Sequence, residues 1–145
     1  MADDQKPAIT VRAASERDYP AVARIQQACP EAAQWPVGDY HGFEVLVAIM
    51  DDAPVGFCAW RRTAPGEAEL LNLGVHPRWR RRGVAGALLD ALGRQAGWDI
   101  FLEVAETNGP AIALYRRHGW EQIAIRPGYY HRGSINAIVM KKGSW

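Results

Sequence analysis

The chain has 145 residues, a length typical of one domain with its own hydrophobic core. Apolar residues make up 48% and charged residues 23%, close to the globular average, which excludes disordered, collagen-like and coiled-coil proteins. Seventeen Lys and Arg against sixteen Asp and Glu give a formal charge of +1. That balance disfavours a protein built to coat nucleic acid or acidic lipid. We expect a single domain over residues 1–145.

Neither the cysteines nor the N-terminus carries a metal-binding or targeting pattern. Cys29 and Cys58 form no CxxC pair, which disfavours zinc-ribbon, redox and disulfide-framework proteins. Residues 1–6 are mostly polar, and the longest apolar run, 45–50, is far shorter than the ~20 residues that span a bilayer. The four histidines show no metal-ligand spacing. We expect a cytoplasmic protein, monomeric or weakly dimeric, with no metal and no membrane partner.

Hydrophobic periodicity and turn residues predict interleaved strands and helices. In chain order the elements are strand 9–13, helix 15–29, strands 43–50, 55–61 and 69–75, helix 84–96, strand 100–105, helix 109–118, and strands 120–125 and 135–141. Residues 51–54 predict a hairpin turn, and residues 31–42 and 127–133 predict irregular loops. A strand–helix–strand crossover among antiparallel strands indicates an α+β fold with mixed α/β layers.

The most informative segment is Leu71–Gly86, where a strand leads through an arginine-rich turn into a helix. A helix N-terminus carries partial positive charge and favours acidic residues, yet four arginines stand within Arg78–Arg82. This arrangement is electrostatically unfavourable unless an anion binds the free backbone N–H groups. The small residues Gly83, Ala85 and Gly86 let a bulky ligand approach the backbone. The alternative is a solvated basic turn packed by Trp79. Walker and GxGxxG motifs are absent from the sequence, which disfavours P-loop and Rossmann phosphate sites.

The pattern Arg80-x-x-Gly83-x-Ala85 resembles the R/Q-x-x-G-x-G/A signature of the GNAT N-acetyltransferases. In that family this loop binds the pyrophosphate of acetyl-CoA, and the preceding strand pairs through its backbone with the pantetheine arm. The resemblance implies a central, mixed, mostly antiparallel, splayed sheet of about seven strands flanked by helices. The cofactor-binding residues that it implies are Leu73, Gly74, Val75, Arg80, Arg81, Arg82, Gly83, Val84, Ala85, Gly86 and Asn108.

The segments 101–108 and 111–120 resemble the next part of the GNAT domain, and the nearest sub-family is the RimI-type protein N-terminal alanine acetyltransferases. The likeness covers roughly the last 90 residues well and the first 40 in outline. It implies Glu103 as the catalytic base and Tyr115 as the acid that protonates the leaving thiolate. The alternative for Glu103 is a surface carboxylate on an edge strand, although its apolar flanks favour a buried position. By spacing alone Tyr115 would be a core aromatic, and helix capping alone would explain Asn108.

The predicted loop 127–133 matches a loop that helps bind the substrate's N-terminal backbone in the family. The substrate-binding residues that we predict are Tyr129, Tyr130, Asn72 and Trp35. The alternative for the tyrosine pair is that one ring covers the end of the sheet. Asn136 departs from the sub-family, which usually has Asp at this position.

The predicted reaction moves the acetyl group of acetyl-CoA to the α-amine of a protein N-terminus by direct attack, with the N-terminal alanine of a small-subunit ribosomal protein as the candidate acceptor. Since a peptide α-amine has a reference pKa of about 7.7–8.0, a carboxylate base suffices, acting directly or through a water. Backbone N–H groups near 73–75 would polarise the thioester carbonyl. One alternative is the same chemistry on a small-molecule amine or an internal lysine. The other is a non-catalytic RNA-binding module, which the near-zero net charge disfavours.

Overall fold

The computed structural model describes residues 8–97 and 99–142. The strands are β1 Thr10–Ala13, β2 Glu44–Met50, β3 Ala53–Ala64, β4 Glu67–Val75, β5 Asp99–Ala105, β6 Trp120–Tyr130 and β7 Ile135–Lys142. The α-helices are α1 Tyr19–Gln27, α2 Val84–Ala96 and α3 Gly109–Arg117. Short 3-10 segments lie at Glu16–Asp18, Val37–Gly42, Pro77–Trp79 and His131–Gly133. Within the described ranges, every helix is too short or too polar to cross a bilayer.

The strands hydrogen-bond in the order β1-β2-β3-β4-β5-β7-β6. The pairs β1–β2, β5–β7 and β6–β7 are antiparallel, whereas β4 and β5 are parallel. The parallel ladder pairs Glu67–Glu69 with Asp99–Phe101. Helix α2 connects these two strands, as the predicted strand–helix–strand crossover requires. This mixed, mostly antiparallel sheet with helices confirms the predicted fold class.

The chain divides into two compact units. The first comprises residues up to 59 together with 72–92, and the second comprises 60–71 together with the residues from 93 onward. Strands β3 and β4 and helix α2 contribute to both units. The single domain over residues 1–145 stays a prediction.

The core of the first unit forms where α1 packs on the strands. Val22, Ile25 and Cys29, the predicted apolar face of the first helix, are all buried. They share a cluster with Tyr40 and Phe57, whose rings meet edge to face with centroids 5.6 Å apart. The helical segment begins after Ser15 as predicted, but its first turn, Glu16–Asp18, is a 3-10 segment and the α-helix begins at Tyr19.

The turn between β2 and β3 consists of two residues, Asp51 and Asp52, with φ angles of 50° and 63°. Two successive left-handed residues are what a type I′ hairpin turn requires, and this turn matches the natural twist of the strands it joins. The predicted hairpin is therefore confirmed, with β3 beginning at Ala53.

In the second unit, α3 packs beside the strands through its buried Tyr115. The ring of Tyr115 lies next to the buried ring of Trp120, with centroids 5.6 Å apart. Asn108 caps the helix, since its Oδ1 accepts a hydrogen bond from the backbone N–H of Ala111 at 3.2 Å. The predicted cap is confirmed.

Candidate active site

The arginine-rich turn belongs to the first unit and lies between the end of β4 and the start of α2. His76 caps the 3-10 segment Pro77–Trp79, because its Nδ1 accepts a hydrogen bond from the backbone N–H of Arg78 at 3.2 Å. Arg81 and Gly83 have φ angles of 62° and 84°, so the chain enters the left-handed region twice before the helix begins. Glycine tolerates that conformation without strain, which accounts for Gly83.

The first helical hydrogen bond of α2 runs from the N–H of Ala87 to the carbonyl of Gly83, at 3.0 Å. The N–H groups of 84–86 precede that bond and lie at the open end of the helix, where an anion binds best. Gly83 is exposed, and a Cβ placed on it would meet one side-chain atom, Cδ1 of Ile9, at an ordinary contact distance of 3.9 Å. The guanidinium of Arg82 lies over the ring of Trp79, 5.2 Å from its centroid. The local geometry thus fits the predicted pyrophosphate site.

Arg80 makes contacts that the sequence did not predict. Its Nε donates to the carbonyl of Val75 at 3.2 Å, and its Nη2 forms an ion pair with Glu31. The thiol of Cys29 donates to the same carbonyl at 3.2 Å, and burial raises the pKa of that thiol. Arg80 therefore ties the segment after α1 to the end of β4, and a phosphate contact for it stays a prediction.

Two glycines allow β3 and the end of β4 to pack closely. A Cβ on Gly74 would lie 2.9 Å from Cε1 of Phe57, and one on Gly56 would lie 2.8 Å from Cγ1 of Val84 and 3.2 Å from the carbonyl oxygen of Gly74. Any larger residue would push these elements apart. The backbone of 73–75, which is predicted to bind pantetheine, therefore packs closely against β3.

Asn72 is a buried residue of β4 whose side chain holds the segment that follows α1. Its Nδ2 donates to the carbonyl of Ala33 and to the hydroxyl of Tyr40, each at 2.9 Å. Its Oδ1 accepts from the N–H groups of Ala33 and Leu73, each at 3.0 Å. The Tyr40 hydroxyl in turn donates to Gln26, and burial raises the pKa of Tyr40 to about 12. The amide is engaged with the protein, and its predicted contact with substrate stays a prediction.

Trp35 packs against the core cluster of the first unit as a partly buried side chain. Its ring centroid lies 5.0 Å from that of Tyr40 and 5.4 Å from that of Phe43. Its carbonyl accepts a hydrogen bond from Nε2 of Gln26 at 2.8 Å. Trp35 therefore anchors the predicted loop 31–42, which contains a 3-10 segment rather than being wholly irregular.

Glu103 lies in the second unit on β5, an inner strand of the sheet that pairs with β4 over 99–101 and with β7 over 100–105. The edge-strand alternative for this residue is therefore wrong. Leu102 and Val104 on either side of it are buried, and its own side chain is 15% exposed. Its Oε1 lies 2.9 Å from Nη2 of Arg126. This is a largely enclosed carboxylate paired with one guanidinium.

Tyr129 and Tyr130 belong to a strand and not to the predicted loop 127–133. Strand β6 continues to Tyr130, which pairs with Ile135 on β7. Gly128 has a φ of 64°, and the register between the strands shifts between Arg126 and Tyr130. A bulge of this kind absorbs the irregular Pro-Gly step without ending the strand. Tyr129 is half exposed, and its ring meets that of Tyr130 edge to face at 4.9 Å.

Asn136 makes one contact that an aspartate could not make, the donation from its Nδ2 to Glu106. Its Oδ1 accepts from the N–H of Gly128 at 2.9 Å, while its Nδ2 and backbone N–H point to the Glu106 carboxylate at 3.4 and 3.2 Å. An aspartate would bring a second carboxylate to Glu106. Asparagine at position 136 therefore avoids this repulsion. Its hydrogen bond to Gly128 also joins the two strands of the hairpin that carries Tyr129.

Arg126, the partner of Glu103, was not predicted as a site residue. The residue belongs to a segment that resembles the family, but nothing in the sequence shows that an arginine on β6 contacts a glutamate on β5.

Residues 41–122, more than half of the chain, match the family model described as an acetyltransferase (GNAT) domain. The chain belongs to the GNAT acetyltransferase family. This confirms the predicted class, a GNAT acetyltransferase. Among the described residues of this GNAT domain, no cluster of His, Cys, Asp and Glu could hold a metal ion.

The GNAT domain is similar to named N-terminal acetyltransferases. The ribosomal protein bS18-alanine N-acetyltransferase of Salmonella typhimurium is 32% identical over 142 residues, which cover 90% of this chain and 95% of that protein. The N-alpha-acetyltransferase RimI of Mycobacterium tuberculosis is 36% identical over 84 residues, 57% of this chain and 53% of that protein. The crystal structure of the ribosomal-protein-S18-alanine N-acetyltransferase from Escherichia coli superposes with a TM-score of 0.79 at 27% identity, covering 94% of both chains.

The lengths of the relatives differ. The chain spans 53% of the Mycobacterium tuberculosis protein and only 26% of an uncharacterised protein from Mycobacterium leprae, which is 41% identical over 98 residues. These matches confirm the resemblance to the RimI type, whereas the acceptor of this chain is a separate question.

Proposed function

We propose that this chain transfers the acetyl group of acetyl-CoA to the α-amine of a protein N-terminus. The observation that carries the proposal is the enclosed carboxylate of Glu103 on a central strand, in a chain similar along 90% of its length to a bS18-alanine N-acetyltransferase. A ribosomal protein with N-terminal alanine is the acceptor that this similarity favours. That acceptor would place the protein in the cytoplasm.

The first unit would hold the cosubstrate. The N–H groups of 84–86 and the arginines of the turn offer charge and hydrogen-bond donors suited to a pyrophosphate, and the backbone of 73–75 offers the peptide groups that the family uses for pantetheine. Acetyl-CoA supplies an activated acetyl thioester. The exposure of Gly83 supports this assignment because it leaves the helix end accessible to a ligand.

Glu103 and Tyr115 would supply the proton transfers. The α-amine must lose a proton to attack, and with a reference pKa of about 7.7–8.0 it needs only a weak base, a task for the Glu103 carboxylate. The phenol of Tyr115 would give a proton to the thiolate that leaves. Direct attack is favoured because burial raises the pKa of Cys29, and that of Cys58 to about 12, so neither thiol is a ready nucleophile.

Kinetics of two variants test the assignment. Glu103→Gln and Tyr115→Phe should each lower kcat by about 10²-fold, the usual contribution of general acid–base catalysis. Acetyl-CoA should still raise the melting temperature of both variants, since neither residue belongs to the proposed pyrophosphate site. Glu121→Gln, an exposed carboxylate on β6, is the control and should leave kcat unchanged. Unchanged turnover in Glu103→Gln would remove its assignment as the base.

A peptide panel tests the acceptor. Peptides that vary in their first two residues, together with a lysine peptide with a blocked N-terminus and a polyamine, are incubated with acetyl-CoA, and products are read by mass. Acetylation restricted to N-terminal alanine supports the proposal. Preference for the polyamine or the blocked lysine peptide would establish the alternative acceptor classes instead.

A further inference from the structure

Glu103, Arg126, Tyr129 and Tyr130 form a cluster on one face of the second unit, which we term the arginine–tyrosine cluster. We propose that Arg126 is a positioning residue for Glu103: its guanidinium fixes one oxygen of the carboxylate and thereby orients the other toward the acceptor amine. The inference rests on the proposed function, in which Glu103 is the base.

The strand register explains how Arg126 reaches a residue two strands away. Glu103 pairs with Val139 on β7, and Val139 pairs with Ala124 on β6. Directly paired residues share a face of the sheet, as do residues two apart in one strand, so Arg126 lies on the same face as Glu103. Neighbouring strands are about 4.8 Å apart, so the side chains of Arg126 and Glu103 together must bridge about 10 Å. Ala137, which pairs with Arg126 on β7, is small enough to let the arginine lie across it.

The ion pair uses one carboxylate oxygen. Nη2 of Arg126 lies 2.9 Å from Oε1 of Glu103, and within residues 8–97 and 99–142 Oε2 makes no hydrogen bond to the protein. The Glu103 side chain is 15% exposed and that of Arg126 is 54% exposed. The carboxylate is thus largely enclosed, while the guanidinium lies at the surface over it. A planar guanidinium restricts the rotation of a carboxylate better than the flexible ammonium of lysine does.

The same guanidinium contacts Tyr129, one of the two predicted acceptor-binding tyrosines. Its Cζ lies 5.0 Å from the ring centroid of Tyr129, within the range of a cation–π contact. Burial raises the pKa of Tyr130; the charges of Tyr129 and Glu103 act in the same direction and that of Arg126 opposes them. Arg126 therefore connects the base with the residues predicted to hold the acceptor backbone. Loss of Arg126 should lower kcat and raise the KM for the acceptor. It should leave the affinity for acetyl-CoA unchanged.

A double-mutant cycle distinguishes positioning through Glu103 from a purely structural role. Arg126→Met should lower kcat about tenfold in the wild-type background and less than about twofold in the Glu103→Gln background, because a residue that acts through the carboxylate has nothing left to orient. Arg126→Lys keeps the charge and should give an intermediate kcat. Arg116→Met, an exposed arginine at the end of α3, is the control for loss of a surface charge.

Each outcome has one meaning. Equal kcat in Arg126→Met and wild type, or an equal fall in both backgrounds, would overturn the inference. If Arg126→Met does not fold, as judged by its melting temperature, the Arg126→Lys variant replaces it in the same cycle. Failure of the wild-type chain to acetylate any amine of the panel would instead overturn the proposed function. That test uses the wild-type protein alone and does not depend on the variants.

Discussion

Asn72→Ala should destabilise the first unit strongly, because one buried side chain holds a whole segment in place. The amide makes two hydrogen bonds to Ala33 and one to the hydroxyl of Tyr40, which is fully buried. Each bond contributes about 1 kcal/mol net, and a buried polar group that loses its partner costs about 1–3 kcal/mol more. Ala33 is exposed, so water replaces part of what it loses. We therefore expect a loss of about 2–4 kcal/mol in the free energy of unfolding.

Urea denaturation followed by circular dichroism measures this loss, and the melting temperature should fall by about 10 °C. Gln27→Ala, at an exposed position of α1, is the control and should change the free energy of unfolding by less than about 0.5 kcal/mol. A loss below about 1 kcal/mol for Asn72→Ala would refute the reasoning, because it would mean that the segment after α1 does not depend on this amide. The acceptor KM should rise in the same variant if the segment helps bind the acceptor.

Three further predictions concern a carboxylate, an amide and a glycine. Arg12 and Ser15 lower the pKa of Asp18 to about 2 from its ordinary value of 3.8, so its stabilisation is present above about pH 4 and is lost as the pH falls toward 2. Asp18→Asn should therefore be less stable than wild type by about 1–2 kcal/mol at pH 7 and nearly equal to it at pH 2, as measured by urea denaturation. Asn136→Asp should lower the free energy of unfolding at pH 7 by about 1 kcal/mol, because the new carboxylate repels that of Glu106. Acidification should reduce the difference in stability between this variant and wild type. Gly83→Ala should weaken acetyl-CoA binding about tenfold by calorimetry, because a residue with a Cβ costs about 1–2 kcal/mol at a positive φ and the free turn relieves that strain by leaving the conformation that binds.

The controls for these three predictions are available in the chain. Asp39→Asn replaces an exposed carboxylate and should show no such change between pH 7 and pH 2. Gly93→Ala, in the interior of α2 with open space around it, should leave acetyl-CoA affinity unchanged and stabilise the helix. A pH-independent difference for Asp18→Asn, an Asn136→Asp protein as stable as wild type at pH 7, or an unchanged dissociation constant for Gly83→Ala would contradict the respective argument.

Local patterns predicted most of the secondary structure because they act over a few residues. The apolar spacing of Val22, Ile25 and Cys29 predicts which face of the first helix is buried. The short polar segment between β2 and β3 predicts the hairpin turn. The extension of β6 past Pro127 was not predictable in this way. A Pro-Gly step reads as a turn locally, and only the pairing with β7 keeps the strand going through Tyr130.

The candidate site was predictable in its backbone and less so in its side chains. An arginine cluster before a helix points to an anion whatever the rest of the fold does, yet the contact of Arg80 with Glu31 joins residues 49 positions apart. The pairing of Glu103 with Arg126 likewise depends on strand order, which places β7 between their strands. Sequence patterns report periodicity within an element, whereas such contacts follow from how distant elements are arranged.

The buried indole of Trp120 gives the chain an optical reporter beside its predicted acid. Among the described residues, the N–H of this indole has no hydrogen-bond partner, and the ring is 2% exposed. An indole in such apolar surroundings fluoresces at short wavelength, and its emission responds to any change in the position of the neighbouring phenol of Tyr115. Titration of the unlabelled protein with acetyl-CoA or an acceptor peptide can therefore reveal movement at α3 through intrinsic emission, with Trp120→Phe identifying the signal.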